Sequence, residues 1–162
     1  LNSIKMTKLI IDDEAKSTIA GETEIGKWIA QGLTDKSILY AEKFGKELTA
    51  PVVKGWDGKF APNKSDALTT SQIRNVYGEV VKMRMKNTYP EIRNALLLLK
   101  PRLAYSAERK GTEGSKDFRK VFDKGIDAIL AGSDDTIRFE RFQNFANFFE
   151  AVLAYHRAFG GK

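Results

Sequence analysis

Apolar residues recur at three- and four-residue spacing from residue 35 to the end of the chain, the period of helices lying against a core. Asp35 is a good N-cap residue, and Ile38, Leu39, Phe44 and Leu48 follow at helical spacing, so a helix is predicted there, ending before Pro51. Ala50 to Asp66 holds Pro51, Gly55, Gly58 and Pro62 and reads as a loop. Thr69 or Thr70 caps a second helix with the stripe Ile73, Val76, Tyr77, Val80 and Val81. A third helix starts around Pro90, which suits a first-turn position. Leu96 to Leu99 are consecutive leucines, predicting burial on more than one side. Pro101 then kinks or divides the helix, and Leu103, Ala104, Tyr105 and Ala107 resume its pattern. Gly111 to Ser115 reads as a turn. Ser115 or Lys116 opens a helix carrying Phe118, Val121, Phe122, Ile126, Ile129 and Leu130. Asp134-Asp135 starts the longest helix, which runs to about Phe159 before Gly160-Gly161.

The N-terminal part is weakly patterned. Residues 1–33 are expected to be a weakly ordered segment or a short helix in which Ile25, Trp28 and Ile29 dock an indole on the body. Residues 34–162 are expected to form a single helical-bundle domain. No period-2 strand and no tandem repeat stands out. The predicted fold is therefore all-α, a compact bundle of about five to six helices with a long C-terminal helix. That last helix carries Phe139, Phe142, Phe145, Phe148, Phe149, Tyr155 and Phe159, too many for one narrow stripe. It is either central in the bundle or shared with a second copy of the chain. Trp56 and Phe60 in the predicted loop either pin it to the core or stack on a nucleobase, the first being the simpler expectation.

Composition narrows the function classes. A length of 162 residues fits one domain, and 42% hydrophobic with 30% charged residues is ordinary for a globular chain. There is no cysteine, so disulfides and thiolate metal sites are excluded. The longest strongly apolar run, Ala95 to Leu99, is far too short to cross a bilayer, and Leu1 to Lys8 carries no signal-peptide core. A cytoplasmic protein with no membrane association is expected.

His156 is the only histidine, and no set of ligands converges by spacing on a catalytic zinc site. G-T-E-G-S-K at Gly111 to Lys116 lacks P-loop spacing, and no strand precedes it. Nucleophile-elbow patterns are absent. The reading is a non-enzyme without cofactor or metal.

The charge is unevenly placed. The net charge of +6 equals that of Thr69 to Lys110 alone, where nine basic residues face three acids. The segments on either side balance, with ten lysines against ten acids before it and eight basic against eight acidic residues after it. The nine are Arg74, Lys82, Arg84, Lys86, Arg93, Lys100, Arg102, Arg109 and Lys110. All nine arginines of the chain lie after Thr69, and the planar fork of arginine suits phosphate. A basic patch on a balanced protein points to a polyanion held by its backbone rather than read by its bases. An acidic protein partner is the alternative, with the chain then a helical adaptor.

Three stretches carry a resemblance: L-T-T-S-Q-I-R-N (Leu68 to Asn75), L-L-L-L-K-P-R-L-A-Y (Leu96 to Tyr105) and F-F-E-A-V-L-A-Y-H-R (Phe148 to Arg157). Together they resemble the small, second subunit of type III-A CRISPR Csm effector complexes, over roughly Leu68 to Lys162. The resemblance implies a small helical protein without catalytic activity, present in several copies. It implies contacts with guide RNA and target RNA irrespective of sequence, and with other Csm complex subunits, in antiviral or anti-plasmid defence. Carried over residue by residue, it implies RNA contacts for Arg74, Lys100, Arg102 and Arg157. The other six basic residues come from the charge distribution. One departure stands at Ser106-Ala107-Glu108-Arg109, where the family pattern has glycine and this chain has an acid.

Overall fold

The structure, a computed structural model, describes residues 23–161 and, before them, the backbone of Thr18–Ile19 and Glu22. The predicted N-terminal segment lies, before residue 18, outside the described residues. Strand β1 (Thr18–Ile19) pairs antiparallel with β2 (Glu22–Thr23) and leads into α1 (Glu24–Gln31). Thr23 caps α1 by accepting from the Gly26 N–H at 2.9 Å. The spacing of Ile25, Trp28 and Ile29 puts all three in the core, and the Trp28 ring meets Tyr40 at 5.3 Å and Phe148 at 6.1 Å.

Helix α2 (Asp35–Thr49) is capped by Thr34 rather than Asp35. Thr34 and Ser37 form a reciprocal capping box, and Asp35 takes the first helical position, where its charge favours the positive end of the helix. The buried phase of α2 is Tyr40, Ala41, Phe44 and Leu48, leaving Ile38 and Leu39 exposed. The expected loop after it contains a short hairpin, in which β3 (Val52–Lys54) pairs antiparallel with β4 (Phe60–Pro62). A 3₁₀ turn (Lys64–Asp66) follows. These three-residue strands, carrying Pro62 and bounded by glycines, hold too few residues for an alternation to show in the sequence.

Thr69 caps α3 (Thr70–Arg84) in a second capping box with Gln72, and Ile73, Val76, Val80 and Met83 are buried. Helix α4 (Tyr89–Lys110) runs unbroken through Pro101 and ends at Gly111, whose φ of 65° closes the helix in the left-handed region. The four leucines are not buried all round. Leu96 and Leu99 enter the core while Leu97 and Leu98 are 39% and 53% exposed, because 100° per residue carries the middle pair off the buried stripe.

The G-T-E-G-S-K stretch is not a turn throughout. Thr112 caps α5 (Glu113–Leu130), so Gly114 and Ser115 already lie in its first turn. A Cβ on Gly114 would stand 2.4 Å from the Leu68 backbone nitrogen, so this glycine permits a close approach of α5 to the Ala67-Leu68 backbone. Asp134 caps α6 (Asp135–Ala158). Its Phe142, Phe145, Phe148, Phe149, Val152, Leu153 and His156 are buried, and it packs on every other helix, most extensively on α2. The aromatic helix is therefore central in the bundle. Among the described residues, no helix is long and apolar enough to cross a membrane.

Candidate nucleic-acid interface

Helices α3 and α4 lie side by side and leave a cleft of about 410 Å³ between them. Residues 102, 105, 106 and 109 fall on one stripe of α4 by their three- and four-residue spacing, and Asn75 and Glu79 face them from α3. Arg102 donates from Nη1 to Glu79 Oε2 at 3.1 Å, and Lys82 holds the other oxygen of the same carboxylate at 3.4 Å. The Arg109 guanidinium lies 6.0 Å from the Tyr105 ring centroid. Lys110 closes the cleft at the last residue of α4. Both arginines and Lys110 are exposed.

The ten basic residues do not share one surface. Arg102, Arg109 and Lys110 line the cleft, and Lys82 reaches its edge through Glu79. Arg84 turns the other way, to Glu150 at 3.0 Å and Asn147 at 2.6 Å on α6. Lys100 sits only two residues from Arg102, yet two residues rotate a helix by about 200°, so Lys100 faces α5 and pairs with Asp127 there. Its charge, with that of Arg119, offsets the burial that raises the Asp123 carboxyl above its ordinary value. Arg93 is exposed two turns before Lys100 on the same stripe. Arg74 is exposed on α3 outside the cleft lining, Lys86 lies in the connection from α3 to α4, and Arg157 is exposed near the end of α6. The acid of Ser106-Ala107-Glu108-Arg109 does not enter the cleft: Glu108 reaches towards Arg119 on α5 at 3.9 Å.

Among the residues that line the cleft without having been singled out as basic are Asn75, Glu79 and Tyr105. The signal for Tyr105 was its position three residues after Arg102 and four before Arg109.

His156 has a structural place. It is fully buried, and its Nε2 lies 2.9 Å from the Leu68 carbonyl, an acceptor only, so Nε2 carries the proton. Burial pushes its pKa below the ordinary histidine value, the Leu68 bond partly offsets this, and Arg157 adds to the lowering. The unfolded chain therefore takes up a proton first as pH falls. The stability due to His156 is complete above about pH 6.5 and declines as pH drops through that value, by up to about 1.4 kcal/mol per pH unit. Urea melts from pH 7 to pH 5 should show this loss, and His156→Gln should flatten it. The difference between the two curves isolates the histidine from Asp123, which titrates in both. Among the described residues, no group of three or more His, Asp or Glu is placed to hold a metal ion.

Residues 57–162, which include the whole cleft, match the family model of Csm2 Type III-A. The chain belongs to this family. Csm2 proteins are small subunits of the Csm complex of type III-A CRISPR defence, and membership implies association with other subunits of that complex. No curated protein and no solved structure gives a match. The Csm2 match starts within the β3–β4 hairpin, so α1, α2 and β3 precede it, although α1 and α2 supply Ile25, Ile29, Phe44 and Leu48 to the same core.

Proposed function

We propose that this chain is a non-catalytic RNA-binding subunit of the type III-A complex, holding the sugar–phosphate backbone of guide or target RNA in the α3–α4 cleft without reading sequence. The observation that carries the reading is the alignment of Arg102, Arg109 and Lys110 along one edge of an open cleft. Guanidinium forks and an ammonium lining one open cleft suit phosphates, which need no base-shaped pocket to be held. Lys82 extends the row on the α3 side through Glu79, whereas Arg74, two residues from both Gln72 and Val76 of the lining, faces away from it. Lys86, Arg93 and Arg157 lie outside it and serve other contacts along the strand or with neighbouring copies. Arg84 and Lys100 point away from the cleft, to Glu150 on α6 and Asp127 on α5, and contribute less. The exposed Leu97 and Leu98 offer apolar surface for a neighbouring subunit, consistent with several copies along one RNA.

Fluorescence anisotropy with two single-stranded RNAs of unrelated sequence tests this. Both bind with similar affinity, and log affinity falls with log salt at about −0.7 per phosphate contact, so about −2 for three contacts. RNA that fails to bind, with an acidic protein captured instead, would leave the helical-adaptor reading standing.

A further inference from the structure

The largest unexplained feature outside the cleft is Trp56. The sequence left it either an anchor for its loop or a ring that stacks on a nucleobase, the anchor being the simpler expectation, and it is fully exposed at the tip of the β3–β4 hairpin. Full exposure leaves both faces of the indole open to a ligand.

The tip is an ordered turn. Gly55 donates to Lys59 O at 2.8 Å, Gly58 donates to Gly55 O at 3.0 Å, and Asp57 Oδ1 accepts from the Lys59 N–H at 3.0 Å. Gly58 takes a φ of 79°, which a side chain would strain. The backbone beneath the indole is thus set in advance. Lys54 and Lys59 flank it, and neither has an ion pair among the described residues.

The segment that follows the hairpin is tied to the start of α5, next to the Lys110 end of the cleft. Asn63 N–H bonds to Pro51 O at 2.9 Å across its base. Asp66, three residues on, accepts from the Glu113 N–H at 3.3 Å, and Glu113 is the first residue of α5, just past Lys110 and Gly111.

We propose that Trp56 is a stacking platform for an unpaired nucleobase of single-stranded RNA, with Lys54 and Lys59 engaging the flanking phosphates. This rests on the reading that the cleft holds RNA, and it extends that contact to a base at Trp56, one residue before the Csm2 match. A protein partner fits less well. The ring stands between glycines, lysines and an aspartate, and no other large apolar side chain of the hairpin is exposed to build a protein interface. A lone aromatic face between cations is the arrangement that takes any base by stacking.

Tryptophan fluorescence of the intact protein tests the proposal, with the buried Trp28 as internal reference. Saturating single-stranded RNA should quench the red-shifted Trp56 emission and shield it from acrylamide, while inorganic polyphosphate, which offers the same charges without bases, should not. Trp56→Ala should weaken RNA binding at least about fivefold with an unchanged salt slope, and Trp56→Phe should restore most of the loss. If RNA binds with its full salt slope while Trp56 stays open to acrylamide, or if Trp56→Ala binds as the parent does, the platform is overturned and the cleft reading survives. If the intact protein binds no RNA at all, the cleft reading fails and takes this proposal with it.

Discussion

Changing Arg102, Arg109 and Lys110 together to glutamine is expected to lower affinity for single-stranded RNA about a hundredfold at 0.1 M salt and to flatten the salt dependence by about two. Each lost phosphate contact removes about 0.7 from the slope, so three contacts correspond to about two decades of affinity between 1 M and 0.1 M salt. Folding should be spared. The three side chains are exposed, and the single ion pair broken, Arg102 with Glu79, is a surface pair of the kind that contributes about 0–1 kcal/mol. Arg84→Gln with Lys100→Gln is the matched control. It removes two charges of the same basic segment, but these point to Glu150 on α6 and Asp127 on α5. Anisotropy titrations should leave the control within about tenfold of the parent. A control that weakens binding as much as the triple change would mean that net charge alone matters and that the cleft has no special place.

The largest expected effect on stability is at Gly45, where α2 crosses α6. A Cβ there would lie 2.7 Å from Tyr155 Cβ, 2.8 Å from the His156 backbone nitrogen and 3.0 Å from the Val152 carbonyl oxygen. Two of these atoms are helix backbone, so no rotamer change makes room, and α2 must move away from its most extensive contact. Gly45→Ala should cost about 1–2 kcal/mol even after the gain in helix propensity, and Gly45→Leu about 3 kcal/mol or more. Gly78 in α3 makes the opposite case, since a Cβ there meets nothing within 4 Å. Gly78→Ala should stabilise by about 0.5–1 kcal/mol. Thermal melts separate the two, at about 2–4 °C per kcal/mol for a chain of this size. A Gly45→Ala protein that melts above the parent would refute the close crossing of α2 and α6.

Much of the bundle was legible because its helix ends are written in side chains. Thr69, Asp134, Pro90 and Gly111 each mark a terminus by local chemistry that needs no tertiary partner. Two helix starts were displaced although their caps are local: Thr34 rather than Asp35 opens α2, and Thr112 opens α5 two to three residues earlier than expected by accepting from the Ser115 N–H. The glycine at 114, which reads as a turn in the sequence, sits inside α5 because it lets the helix approach the Leu68 backbone more than 40 residues away. The hairpin was invisible for want of length. For the candidate site, the location of the charge was plain, but its direction was not drawn from it. The divergence of Lys100 and Arg102 follows from a two-residue spacing on one helix. The capture of Arg102 by Glu79, and the turning of Arg84 to Glu150, arise between helices and could be seen only once those helices were placed.

Glu79 sits with both of its oxygens occupied by Arg102 and Lys82, so an anion arriving at either of those two cations competes with a carboxylate already in place. A lone small anion exchanges one partner for another and gains little by it. A polymer makes the same exchange while gripping Arg109 and Lys110 beyond it, and its affinity accumulates along the strand. On the proposed reading, one acidic side chain would make the groove respond to chain length and discriminate against mononucleotides and free phosphate.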